Sequence, residues 1–174
     1  MNTYRTHTCG QLNINDKGSD VVLSGWIHKK RDHGNLLFID LRDNYGITQC
    51  VIEKSHKSFA NIEKIPLETV VSVQGKVLER SKETINEELK TGAIELSIES
   101  YNILGECEEL PLPVFLDDDY SEEIRLKYRY LDLRRKRIHQ NIILRSEVVS
   151  FIRDEMKKMG FLEFQTPILT SSSP

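Results

Sequence analysis

The stretch that decides the fold is VVLSGWIHKKRDHGNLLFIDLRDNYGITQCVI, residues 21–52. In its first part, residues 21–28, apolar residues or glycine occupy every second position, which is the period of a strand with one buried face. Residues 36–41 form a short apolar run that Arg42-Asp43-Asn44 ends, and Gly46 completes a tight turn into residues 47–52. The stretch therefore predicts three consecutive strands.

Two further strands follow after a short helical segment. Residues 56–64 have apolar residues three apart and are followed by Pro66, which predicts one short helix. Alternating residues then predict a fourth strand, with Val71, Val73, Gly75 and Val77 on one face, and a fifth, with Ile94, Leu96 and Ile98 on one face. A polar loop, residues 81–90, separates them.

Five strands with a helix between the third and the fourth is the order of an OB-fold, a small closed Greek-key barrel. Such barrels bind oligonucleotides on strands 2 and 3 and through the loops that follow strands 1 and 4. The fold class is therefore mainly β with some α. The periodicity alone does not separate an OB-fold from other five-stranded barrels.

The amino-acid composition limits the classes of protein to which the chain can belong. The 174 residues are 39% apolar and 29% charged, which is typical of a soluble globular protein with a core. We expect no membrane-spanning helix and no secretory signal, because no long apolar run exists and the first twenty residues lack a basic segment before an apolar one. Cys9, Cys50 and Cys107 lie too far apart for a zinc site, so no metal site is predicted. We expect buried or inert thiols in a reducing cytosol.

Charge varies along a chain whose net charge is −3. Residues 106–123 contain eight acidic residues and no basic ones, whereas residues 125–137 contain seven basic residues and one acidic residue. A smaller basic group occupies residues 28–31. Local patches of this kind, rather than net charge, attract a polyanion.

The hydrophobic period changes after residue 120. Residues 106–120 include Pro111 and Pro113 and predict a linker, and Ser121 then suits a helix N-cap. Apolar residues spaced by four and three predict an amphipathic helix over residues 138–159, with Gly160 as its C-terminal cap. Residues 161–167 predict one strand, and a helix with one strand indicates the start of a larger domain.

These patterns divide the chain into a barrel over 1–105, a hinge over 106–136 and the start of another domain over 137–174. No catalytic triad spacing and no glycine-rich phosphate loop occurs in any of them. Recognition chemistry is better represented, because Phe38 shares a strand face with Leu36 and Asp40 beside basic residues 29–31. An aromatic there suits base stacking, although the pattern alone equally allows Phe38 to be core.

Three strings carry a family resemblance. All three closely resemble bacterial aspartyl-tRNA synthetases. The anticodon-binding domain is resembled by residues 25–34 with 38–43, and the hinge by residues 126–135 (LKYRYLDLRR). Motif 1 of the class II catalytic domain is resembled by residues 160–169. The RYLDLRR string favours this family over the class II synthetases for lysine and asparagine, which share only parts of it. A free-standing OB-fold module that binds RNA without catalysis is the main alternative, and the chain's end after one further strand argues against it.

The resemblance implies a two-step reaction in the full-length enzyme. Aspartate and ATP, with Mg²⁺, give an aspartyl-adenylate, and the aspartyl group then passes to the tRNA. Motifs 2 and 3 of the family are absent from these 174 residues, so we expect the chain alone to be inactive and to supply anticodon recognition. The expected partners are tRNA for aspartate, tRNA for asparagine where recognition is relaxed, and a second full-length copy in a cytoplasmic homodimer, with no DNA and no membrane.

The resemblance also assigns roles to single residues. Phe38 corresponds to the aromatic that stacks on the central anticodon base, and Gln49 to the amide that bonds that base. Glu95 corresponds to the acid that reads the first base. Arg31 and Arg80 correspond to basic residues that contact phosphate or base edges.

Other matched positions surround this group. Lys29 and Lys30 are expected to contact phosphate only. His33 stands where discriminating members carry an apolar residue, and histidine there implies that asparagine tRNA is also charged with aspartate; Glu83 lies near a second position linked to that property. Pro167 corresponds to the motif 1 proline of the dimer interface.

Overall fold

The computed structural model describes residues 4–116 and 118–166. It divides into two compact units, Met1–Leu110 and Pro111–Pro174, and each is described by itself. A short 3-10 helix, Ile14–Asp16, precedes the first strand.

Five strands of the first unit form a closed barrel in the order β1-β2-β3-β5-β4. Their neighbours pair antiparallel except β3 and β5, which pair parallel where Cys50 lies opposite Leu96. The predicted OB-fold, with one helix between the third and fourth strands, is confirmed. The elements are β1 Asp20–Asp32, β2 Leu36–Arg42, β3 Ile47–Glu53, α1 Phe59–Lys64, β4 Val70–Glu79 and β5 Ile94–Gly105.

The barrel core consists of the inward faces that the alternation predicts. Its fully buried side chains include Val21, Leu23, Ile27, Leu37, Ile39, Leu41, Ile52, Val73, Val77, Ile94 and Leu96, with Ile62 of α1 against them. Cys9 and Cys50 are also buried, and burial raises the pKa of both thiols. The prediction of buried thiols is therefore confirmed for these two, whereas Cys107 is partly exposed.

A β-bulge in β1 shifts its register against β2 between Ile27 and Lys29. Before the bulge the odd-numbered residues of β1 face the core; after it, Arg31 lies opposite Phe38 and Lys29 opposite Asp40. The extra residue re-aims the end of the strand. Lys29 and Arg31 therefore share the outer face of the barrel with Phe38 and Asp40.

The second unit contains three helices, α2 Glu122–Lys127, α3 Arg129–Asp132 and α4 Lys136–Lys158. The hydroxyl of Ser121 accepts a hydrogen bond from the Ile124 amide at 3.5 Å, which confirms the predicted N-cap. The carboxylate of Asp132 is buried within 3.3 Å of nitrogen atoms of three arginines, Arg125, Arg129 and Arg135. An ion cluster therefore ties α2, α3 and the start of α4 together.

The predicted long helix is confirmed as α4, and its end has the predicted glycine cap. Gly160 adopts a φ of 89°, and the amides of Gly160 and Phe161 donate to the carbonyls of Lys157 and Met156, each at 3.0 Å. This pair of hydrogen bonds is a Schellman motif. The motif needs one residue in the left-handed backbone conformation, which glycine adopts without strain.

Two expectations for this region differ from the structure. No residue of α4 is buried, and apolar side chains such as Leu144 and Phe151 also lie outside the predicted stripe, so the helix is less amphipathic than expected. The strand predicted over 161–167 is wrong for residues 161–166, which form no strand. A strand needs a neighbouring strand to satisfy its amides and carbonyls, and none pairs with these residues in the described part. Pro167 lies outside the described residues.

No helix within residues 4–116 and 118–166 is both long enough and apolar enough to cross a membrane.

Candidate nucleic-acid interface

Phe38 lies on the outer face of β2, where its ring is partly exposed. Its chain neighbours Leu37 and Ile39 point the other way and are buried in the barrel. On the outer face Phe38 lies opposite Arg31 of β1 and Val51 of β3. The structure therefore places Phe38 outside the core, where a planar ligand can reach its ring.

The loop between β1 and β2 places His33 beside this ring. The Asp32 carboxylate accepts the Gly34 amide at 2.7 Å, and Gly34 takes a φ of 77°, so the loop turns sharply. The His33 amide donates to the Leu36 carbonyl at 2.9 Å. The two rings of His33 and Phe38 meet edge to face, with centroids 5.3 Å apart and planes at 87°. This arrangement is a favourable aromatic contact.

Four polar side chains beside Phe38 form a continuous chain across four strands, β1, β2, β3 and β5. Arg31 donates from Nη2 to Asp40 Oδ1 at 2.7 Å and to Gln49 Oε1 at 3.1 Å. Gln49 in turn donates from Nε2 to Glu95 Oε2 at 2.9 Å. The sequence-predicted residues Arg31, Gln49 and Glu95 are therefore brought together on one face. We call Asp40, Arg31, Gln49 and Glu95 the polar relay.

Asp40 is the member of the polar relay that sequence reasoning did not assign to the site. Its shared face with Phe38 was predicted, and that was the signal that could have found it. Burial raises the pKa of Asp40, while the positive charges of Arg31, Lys29 and Arg80 oppose that rise. Lys29 is exposed opposite Asp40, so three basic side chains surround this one carboxylate.

Not every predicted residue joins this face. Lys30 points to the other side of β1, and its ammonium donates to the carbonyls of Glu63 and Ile65, each at 2.6 Å, at the end of α1. Alternation along β1 after the bulge places Lys30 on the side of the strand opposite to Arg31, where it contacts the end of α1. Glu83 is exposed in the loop between β4 and β5.

Arg80 follows β4 directly, and its amide donates to the Ala93 carbonyl at 3.0 Å across that loop. Its Nε is buried, and no hydrogen-bond partner for it lies among the residues that the structure describes. Together with Lys29 and Arg31 it makes three basic groups beside two acidic ones on this face. These five groups sum to one net positive charge.

Comparison with known protein families matches two parts of the chain. Residues 21–104 match the family described as the OB-fold nucleic acid binding domain. Residues 121–174 match the family described as tRNA synthetases class II (D, K and N). The two matches cover the barrel and most of the second unit in the order that the resemblance predicts.

Curated relatives are similar over the whole chain. An aspartate–tRNA(Asp/Asn) ligase of Pelagibacter ubique is 71% identical over 174 residues, which is 100% of this chain and 29% of the relative. One of Phenylobacterium zucineum is 58% identical over the same 174 residues, again 29% of the relative. Over its whole length the chain is therefore similar to these aspartate–tRNA(Asp/Asn) ligases. It spans about 29% of the length of these synthetases.

A solved structure supports the same fold. The asparaginyl-tRNA synthetase of Pyrococcus horikoshii, complexed with asparaginyl-adenylate, superposes with a TM-score of 0.80 and 25% identity, covering 93% of this chain and 36% of that one. The fold of this chain is thus similar to that of this asparaginyl-tRNA synthetase, whereas the higher identities are with the aspartate–tRNA(Asp/Asn) ligases.

Synthetases of this class use ATP and Mg²⁺ in general. The described residues offer no group of three or more His, Cys, Asp or Glu side chains placed to hold a metal ion. The described residues therefore do not fit a Mg²⁺ site of this kind.

Proposed function

We propose that the barrel binds the anticodon of aspartate tRNA, and of asparagine tRNA as well, within an aspartate–tRNA ligase. The observation that carries the proposal is the position of the partly exposed Phe38 ring next to the polar relay on one face, which also carries Lys29. Single-stranded RNA is recognised by stacking splayed bases on aromatic rings and bonding their edges.

In this proposal the central base stacks on Phe38 and its edge meets Gln49. The amide of Gln49 uses one N–H and one lone pair within the polar relay, so a second N–H and a second lone pair remain for a uracil edge. Glu95 has carboxylate lone pairs left to accept N–H groups of a guanine at the first position. Lys29, Arg31 and Arg80 supply the charge that attracts phosphate.

His33 provides a rationale for the use of two tRNAs. The curated relatives are aspartate–tRNA(Asp/Asn) ligases, and the two anticodons differ only in the third base, a cytosine or a uracil. These bases present opposite hydrogen-bonding groups at their fourth position. An imidazole at the edge of Phe38 can donate or accept by changing tautomer, so it tolerates either base. Exposed Glu83 is placed in the other loop that OB-folds use for binding.

The remaining chemistry belongs to the whole protein. We propose that it forms an aspartyl-adenylate from ATP with Mg²⁺, works as a cytoplasmic homodimer with Pro167 in its interface, and does not bind DNA. The 174 residues alone are then inactive in aspartate activation. The domain limits proposed for the chain are 1–105 for the barrel, 106–136 for the hinge and 137–174 for the start of the catalytic domain.

The test is the affinity of the chain for an anticodon stem-loop after Phe38→Ala. Loss of a stacked base predicts weaker binding by about 1–3 kcal/mol. Phe151→Ala is the matched control, because Phe151 is a 64% exposed phenylalanine on α4. If Phe38→Ala folds and binds as tightly as the wild type, or if Phe151→Ala loses as much, the stacking proposal is wrong.

A further inference from the structure

The position of Asp40 on this face is unusual for a surface that attracts RNA. Its side chain is 13% exposed, whereas that of Arg31, to which it bonds, is 38% exposed. The carboxylate therefore lies beneath the guanidinium and not at the outermost surface. Its low exposure and its bond to Arg31 point to a role other than direct contact with RNA.

The contacts of Asp40 show what that role can be. One nitrogen of Arg31, Nη2, bridges Asp40 and the side-chain oxygen of Gln49. An arginine without such an anchor has many rotamers and loses conformational entropy when it binds. The anchor fixes the guanidinium before RNA arrives, and a charge-assisted bond is the strong kind of hydrogen bond.

The anchored guanidinium also fixes the amide of Gln49. Because Arg31 can only donate, it must meet the oxygen of Gln49, and the nitrogen of Gln49 is then turned to Glu95. Glu95 can only accept, so it favours the same orientation from the other end of the amide. Arg31 and Glu95 therefore fix Gln49 together, and Asp40 anchors the Arg31 end.

We propose that Asp40 is a positioning residue that sets base specificity at this interface by holding Arg31, and through it the edges of Gln49 and Glu95. The proposal rests on the anticodon binding proposed above. Asp40 itself touches no base. Its effect reaches two neighbouring anticodon positions at once, because the relay joins the residue that faces the central base to the residue that faces the first.

Asp40→Asn separates this account from plain electrostatics. Loss of a negative charge beside RNA by itself strengthens binding, and it does so equally for every sequence. The positioning account expects the opposite sign: about tenfold weaker binding of the cognate stem-loop, the size of a lost charge-assisted hydrogen bond. It also expects a smaller preference for the cognate over stem-loops whose central or first base is changed.

The experiment measures binding of labelled anticodon stem-loops to the 174-residue chain by fluorescence anisotropy. The stem-loops carry GUC, the same with a changed central base, and the same with a changed first base. Asp20→Asn is the control, because Asp20 is exposed at the other end of β1 and its substitution changes the charge equally. Asp20→Asn is expected to keep the full preference at both positions.

A cycle with Arg31→Gln tests whether Asp40 acts through Arg31. If it does, Asp40→Asn causes no further loss of preference when Arg31 is already glutamine, and the two effects are not additive. This comparison also decides the matter if Asp40→Asn alone fails to fold, since the double variant lacks both charges of the pair. An additional loss in the double variant overturns the proposal.

The outcomes also separate this inference from the proposed function. A wild-type chain that shows no preference for the GUC stem-loop overturns anticodon binding itself. A wild-type chain that prefers GUC, together with an Asp40→Asn variant that keeps that preference, overturns only the role of Asp40. Equal weakening toward all three stem-loops also overturns it, because a merely structural residue lowers all affinities alike.

Discussion

The barrel and the helix α4 differ in the exposure of their apolar side chains. In the barrel, the inward side chains of all five strands are buried, and Leu96 of β5 is 0% exposed. In α4, a helix of 23 residues, none is buried, and Leu144 is 59% exposed. Both elements follow regular hydrophobic patterns in the sequence, but only the barrel closes on a core within this chain.

The comparison shows that a regular hydrophobic pattern in the sequence does not by itself produce a packed core. A helix satisfies its own backbone hydrogen bonds, so α4 forms wherever its sequence favours a helix. A strand cannot do so, and the five strands of the barrel exist because each has two neighbours. Stability of the first unit is therefore carried by burial, whereas no residue of α4 is buried.

Matched leucines test this difference most strongly. Leu96→Ala should lower the free energy of unfolding of the barrel by about 2–5 kcal/mol, because it leaves a cavity in a closed core. Leu144→Ala should change it by less than about 0.5 kcal/mol, as at other exposed positions. Urea unfolding followed by fluorescence of Trp26, the single tryptophan of the chain, reports the barrel. Equal losses for the two substitutions would break the comparison.

Acid should affect the two regions in different pH ranges. Burial, and then the positive charges of Arg42 and Lys29, lower the pKa of His28 in the barrel to about 4. In the unfolded chain His28 takes up a proton near pH 6.5, whereas in the folded barrel it stays neutral down to about pH 4. The barrel should therefore lose stability as pH falls from about 6.5 to about 4. The expected loss is roughly 1–2 kcal/mol, allowing for screening by water. His28→Gln should remove this part of the pH dependence of Trp26 unfolding.

The second unit should stay folded to a lower pH than the barrel. Asp132 is buried, which by itself raises its pKa, but hydrogen bonds and charges of Arg125, Arg135 and Arg129 outweigh burial and lower it below 3.8. A lowered carboxyl pKa gives stability that is present above the unfolded value and is lost as pH falls through the folded one. Helical circular dichroism should therefore persist from pH 6.5 to 4. A loss of helix signal across that range, in step with Trp26, would contradict separate responses.

Much of the fold could be predicted from the sequence because alternation encodes burial directly. All five strands and the helix between β3 and β4 lie where the pattern indicates. The bulge between Ile27 and Lys29 could not be predicted in this way, because it depends on how β1 pairs with β2. Its consequence is that Lys30, adjacent to Arg31 in sequence, contacts α1 on the opposite side of the strand.

The candidate site was predicted less completely than the fold. Phe38, Gln49 and Glu95 came from resemblance, and the hydrogen bonds that join the last two through Arg31 to Asp40 follow only from three-dimensional proximity. From the sequence alone, an acidic residue on a basic face is not distinguished from an ordinary solvent-exposed charge. The strand predicted for 161–166 failed for the complementary reason, since pattern alone does not supply a pairing partner.

The central claim is that the barrel face around Phe38 carries RNA recognition, and one titration tests it directly. An anticodon stem-loop is added to the ¹⁵N-labelled chain, and amide chemical shifts are followed residue by residue. The account predicts that the largest changes fall in residues 29–40, at Gln49 and in residues 80–95, with α4 unaffected. Changes centred on α4, with the amides around Phe38 unmoved, would contradict it.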